Sequence, residues 1–99
     1  MKPKFGSTMR KYDFFEDPGH GWLKVDVREL DRLGIADKIS NASYMQKGYA
    51  FLEEDCDLPI FLQAKLRIDK IKIEFREHVC KTRESTIRRH SPYCYGVEV

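Results

Sequence analysis

The sequence lacks any apolar run long enough to cross a bilayer, and no short apolar segment near Met1 resembles a secretory leader. Those two absences predict a cytosolic protein with no membrane partner. Cysteine is sparse: Cys56, Cys80 and Cys94 are an odd number at irregular spacing, which argues against a disulfide framework and for free thiols. A dominant charge is missing too, since 18 Lys and Arg against 16 Asp and Glu leave a net charge of +2. No glycine-rich phosphate cradle leads from a strand into a helix, and no serine or cysteine nucleophile lies in a recognisable motif. The expectation is a protein that is not an enzyme, with no cofactor and no small-molecule substrate.

What is present suffices for one globular domain over residues 1–99, with 41% hydrophobic and 34% charged residues. The stretch from Ile39 to Asp57 organises it. Two mixed apolar and polar runs flank Lys47-Gly48, where glycine supplies the positive φ of a tight hairpin turn. A two-residue turn sets Gln46 opposite Tyr49, Tyr44 opposite Phe51 and Ser43 opposite Leu52, with an aromatic pair across the strands. Upstream, residues 1–9 read as an extension and Arg10 to Phe15 as a strand. Asp17-Pro18-Gly19-His20-Gly21 breaks that strand, and Trp22 to Val25 resumes it with Leu23 and Val25 on one face. Asp26 and Glu29 have capping-box spacing, Val27, Leu30 and Leu33 form a short helical stripe, and Gly34 stops it.

Downstream, Asp55 or Asp57 caps a second helix whose first turn tolerates Pro59. Leu58, Phe61, Leu62 and Leu66 make its stripe. Ile71, Ile73 and Phe75 then alternate with Lys72, Glu74 and Arg76, which is the period of a strand with one buried face. The order ββαββαβ predicts an α+β fold, an antiparallel sheet of about five strands with two helices packed on one face. A basic C-terminal tail over 80–99 follows, in which Tyr93 and Tyr95 are candidate anchors.

Charge is unevenly distributed, with an acidic middle and a basic end. Lys81, Arg83, Arg88, Arg89 and His90 form the basic candidate surface, because arginine forks match phosphate or carboxylate and nearby tyrosines can stack on bases. Lys24, Lys38 and Lys47 extend that patch only where the fold brings them close. Glu53, Glu54 and Asp55 form a weaker acidic candidate surface, although helix capping accounts for part of the cluster that they make with Asp57. His78, Cys80, His90 and Cys94 have a spacing loosely compatible with a tetrahedral zinc site, but a surface histidine and unrelated thiols are the plainer reading, and no metal is predicted. His20, with Asp17 to orient it, invites a general-base reading. A turn with a partly exposed histidine is the simpler one, and Trp22 reads as core.

Several phrases carry a resemblance: Asp17-Pro-Gly-His-Gly-Trp-Leu-Lys-Val25, Leu33-Gly-Ile-Ala-Asp-Lys-Ile-Ser40, Ser43-Tyr44, Leu52-Glu-Glu-Asp-Cys-Asp57, and Ser85-Thr-Ile-Arg-Arg89 followed by Tyr93. Together they resemble a group of small proteins of bacteriophages and other mobile elements that includes anti-CRISPR proteins, inhibitors of type I CRISPR–Cas surveillance complexes. The resemblance implies stoichiometric occlusion in the cytoplasm of an infected bacterial host. The partners would be Cas proteins of a type I effector complex with crRNA contact, the acidic cluster meeting lysine-rich channels and the arginine tail the guide. It supplies no catalytic residues. The alternatives from the residues themselves are a small nucleic-acid-binding module and a zinc-stapled adaptor.

Overall fold

The computed structural model describes residues 10–97; the expected extension over 1–9 lies outside the described residues. The first hairpin pairs β1 (Arg10–Glu16) with β2 (Gly21–Asp26), and helix α1 (Val27–Arg32) follows directly. Asp26 caps α1 by accepting from the Arg28 amide at 2.9 Å. Gly34 ends the turn beyond it at φ +72°. The second hairpin pairs β3 (Tyr44–Gln46) with β4 (Tyr49–Glu53) in the expected register, Tyr44 opposite Phe51 and Gln46 opposite Tyr49. Helix α2 (Leu58–Ala64), strand β5 (Ile73–Val79) and a short β6 (Ser91–Pro92) complete the chain. No helix among the described residues is long and apolar enough to cross a membrane.

The sheet has six strands in the order β5-β1-β2-β4-β3-β6, and it is mixed rather than antiparallel throughout. The departure has a simple cause. Strands β1 and β4 both pair antiparallel with β2, so they run the same way. Helix α2 carries the chain back to the starting end of the sheet, so β5 enters in the direction of β4 and pairs parallel with β1. The sixth strand comes from the expected tail, where Ser91 and Pro92 add to β3.

Both helices pack on one face of the sheet. Leu23 and Val25 from β2 and Ala50 and Leu52 from β4 meet Leu30 of α1 and Leu58, Phe61 and Ala64 of α2. Of the stripe expected on α2, Leu58 and Phe61 are buried, whereas Leu62 and Leu66 are exposed. The helix widens into a π turn over Lys65–Asp69, which rotates the phase and turns Lys65 inward instead. Its ammonium lies 2.7 Å from Glu29 and 2.6 Å from Asp69, with Arg32 also on Asp69 and the Tyr12 hydroxyl donating to Glu29. Glu29 therefore serves this buried network rather than closing a capping box. Likewise Asp57 precedes α2 without capping it; its carboxylate accepts from the Ser40 amide and the hydroxyls of Ser40 and Ser43.

Candidate nucleic-acid interface

The opposite face of the sheet is aromatic where a one-sided sheet would be polar. Alternation along β2 sends Trp22 and Lys24 away from the helices, and along β4 it sends Tyr49, Phe51 and Glu53 the same way. Trp22, Phe51 and Ile87 form a second buried cluster, with Phe15 and Tyr44 packed against it. Ile87 comes from the C-terminal segment, which leaves β5 at one edge of the sheet and reaches β6 at the other. Residues 80–90 thus form a strap across this face, with a 3-10 turn at Thr86–Arg89. The expected tail is a folded part of the domain. Tyr93 anchors its end, buried on the helix side with its hydroxyl donating to the Ala36 carbonyl at 2.6 Å, and burial pushes that hydroxyl's pKa up to about 12. Tyr95, by contrast, is 61% exposed.

Asp17 holds the other end of the strap. Its buried carboxylate accepts from the amides of Gly19 and His20 in its own loop, from the Ser85 amide, and from two guanidinium nitrogens of Arg88 at 2.8 and 3.0 Å. The Arg88 fork, with the backbone donors, keeps the carboxyl far below the ordinary aspartate range. Arg88 also lies over the Trp22 ring, 5.3 Å from its centre. Among the described residues the Trp22 indole N–H meets no acceptor. Arg88 is therefore a strap fastener and not the free basic contact expected of it. Asp17 touches only the backbone of His20; the ring instead lies 3.1 Å from Glu53.

The remaining candidates separate by burial. Lys81, Arg83 and Arg89 are exposed on the strap. His90 is half-buried with its ring 5.0 Å from Phe51, and desolvation lowers its pKa. Glu53 is buried and occupied by His20 and by the amides of Asp55 and Cys56, while Glu54 and Asp55 are exposed. Glu54's carboxyl is raised by desolvation and by the neighbouring carboxylates of Asp55, Glu16 and Glu53. The loose zinc set is not assembled: Cys80 follows the strand at one edge of the sheet and Cys94 the strand at the other. No group of three or more His, Cys, Asp or Glu among the described residues could hold a metal ion. Cys80 instead receives the amides of Thr82 and Arg83, which lower its thiol pKa.

The strap covers Trp22 and Phe51, the latter 7% exposed, and leaves ring surface accessible at two places beside it. His78, with 45% of its side chain exposed, stacks on the half-buried Phe15 at 4.8 Å, whereas Phe51 is closed off by Ile87 and by the His90 ring 5.0 Å away. Lys24 sits 4.3 Å above the exposed Tyr49 ring. Lys24 thus joins the site, whereas Lys47 lies in the β3–β4 turn and Lys38 in a turn attached to the helix-side core. Lys11, Lys24, Lys81, Arg83 and Arg89 make no ion pair among the described residues. Lysine and arginine charges not neutralised by the protein, on the same face as the exposed Tyr49 and His78 rings, suit a phosphate backbone with unstacked bases. Phe15, Phe51 and Tyr49 were not singled out from sequence as a surface. The available signal was that β2 and β4 carry large apolar residues on both faces. No protein-family model, curated protein or solved structure matches the chain.

Proposed function

We propose that this chain is a non-enzymatic binding module whose open sheet face and strap take single-stranded nucleic acid. The observation that carries the reading is accessible ring surface, Tyr49 beneath Lys24 and His78 stacked on Phe15, on a face crossed by a strap that carries the exposed cations Lys81, Arg83 and Arg89. Stacking on such rings tolerates any base, and exposed lysines and arginines track the backbone. Duplex nucleic acid, with its bases stacked inward, offers those rings nothing. The resemblance to anti-CRISPR proteins supplies a setting for the same surface: the crRNA of a type I surveillance complex, with the chain blocking target DNA and exposed Glu54 and Asp55 meeting basic Cas side chains.

Fluorescence anisotropy with labelled single-stranded and duplex oligonucleotides tests this. Single strands bind with a dissociation constant of roughly 1–100 µM at moderate salt, and engagement of four phosphates gives a log–log salt slope of about −3. Tyr49→Ala weakens binding about tenfold. Replacing Lys81, Arg83 and Arg89 together by glutamate weakens it further and flattens the salt slope. Absence of binding to bare RNA, together with tight binding to a purified type I complex, places recognition on the Cas proteins and removes the exposed rings from the mechanism. Absence of both removes the proposed function.

A further inference from the structure

Strand β5 closes one edge of the sheet. It pairs with β1 on one side and with no described strand on the other. Such an edge is a template for another strand, and natural edges are usually short, bulged or covered. This one is seven residues long and lies beside exposed apolar side chains. Phe75, 37% exposed, stacks flat on Phe14 at 5.2 Å on the helix side. Leu62 and Leu66, 37% and 57% exposed, line a 260 Å³ groove with Ile71, Ile73 and Phe75.

We propose that β5 is a homodimer interface, pairing antiparallel with β5 of a second copy about a two-fold axis at Phe75. The sequence Glu74-Phe75-Arg76 is self-complementary in that register. Two-fold pairing places the central residue opposite itself, and each residue before it opposite the corresponding residue after it. With Phe75 central, Glu74 of each copy faces Arg76 of the other, giving two opposite-charge pairs on the strap side. The two Phe75 rings meet on the helix side, next to Leu62 and Leu66. Centring on Glu74, Arg76 or Glu77 instead sets like charge against like, which destabilises a cross-strand pair. Arg76 already reaches Asp13 at 3.1 Å, and its five N–H donors leave capacity for a second carboxylate. Dimerisation joins two six-stranded sheets into one and brings the two strap faces side by side. This inference does not depend on the nucleic-acid reading, and its measurement contains no nucleic acid.

The test is the mass of the full chain by sedimentation velocity and light scattering over a concentration series. The native chain forms a dimer with a micromolar dissociation constant, as suits an interface at the small end of the size range. Arg76→Glu and Glu74→Arg each become monomeric, the dissociation constant rising about tenfold or more. An equimolar mixture of these two variants restores the dimer, because each copy then presents only one sign to the other. The double variant Glu74→Arg/Arg76→Glu also dimerises. All of these positions are exposed, and circular dichroism verifies that each variant is folded. A native chain that stays monomeric to roughly 200 µM overturns the proposal, given the micromolar affinity expected. So does a dimer indifferent to Arg76→Glu, or a mixture that fails to reassociate.

Discussion

Replacing Asp17 with asparagine isolates what fastens the strap. The substitution keeps the shape of the side chain but removes its charge and one of its two acceptor oxygens. If the retained oxygen keeps the Gly19 and His20 amides, the new amide group points N–H bonds at the Ser85 amide and the Arg88 Nε, both of which are donors. Breaking one side of a buried ion pair costs about 3–5 kcal/mol. The Arg88 side chain keeps 26% of its exposure and so recovers some hydration, which favours the lower end, about 3 kcal/mol. For a domain of this size that is a fall in melting temperature of roughly 12–24 °C. Trp22 is the only tryptophan and lies beneath Ile87 and Arg88, so it reports the strap directly. Its emission should shift to the red and become accessible to iodide in Asp17→Asn at temperatures where far-ultraviolet dichroism is still native. The same release follows acidification of the native chain. Asp17 and Asp69 have folded pKa values far below their unfolded ones, so their contribution is complete above about pH 4 and drains away as pH falls below it. A melting temperature within about 3 °C of native, with unchanged Trp22 emission, would refute this account of the strap.

Three further substitutions probe other parts of the fold. Lys65→Met leaves Glu29 and Asp69 without their buried cation and should cost about 3 kcal/mol near neutral pH, read from denaturant midpoints. Because Asp69 owes part of its lowered pKa to Lys65, the deficit should shrink below about pH 4, where the carboxylates protonate in both proteins. Tyr93→Phe orphans the Ala36 carbonyl and should lower stability by about 1–2 kcal/mol by urea titration. Gly21→Ala brings a methyl to 2.5 Å from Phe14 Cζ, a ring held in the core, and should lower stability by about 1–3 kcal/mol by thermal melt.

Much of the fold was legible because short-range rules decided it. Lys47-Gly48 dictated the register of the second hairpin, and Asp26 and Gly34 bounded α1, since turns and caps depend on residues a few positions away. The parallel pairing of β5 was not legible. Its alternation revealed a strand but carried no information on which strand it would join, a matter settled by the path of α2 across the sheet. The π turn was hidden for a similar reason: a leucine stripe over Leu58–Leu66 fits an ideal helix, and only the network of Glu29, Asp69 and Tyr12 rewards turning Lys65 inward. The basic segment proved the most misleading. Arg88 has the composition of a solvent-facing cation, and its partner Asp17 lies 71 residues earlier in a loop that sequence alone marks only as a turn. Exposure of Lys81, Arg83 and Arg89 follows the sequence reading, whereas the aromatic floor they border is built by pairing strands whose register relative to one another was unknown.

The most direct measurement of the central claim is an amide and side-chain NMR titration of the isotope-labelled chain with a single-stranded RNA oligonucleotide. The account predicts shifts concentrated on Phe15, Lys24, Tyr49, His78, His90 and the exposed strap residues Arg83 and Arg89. The helix face, with Leu30, Leu62 and Gln63, should stay silent. Shifts confined to that helix face, or a spectrum unchanged at saturating RNA, would contradict it.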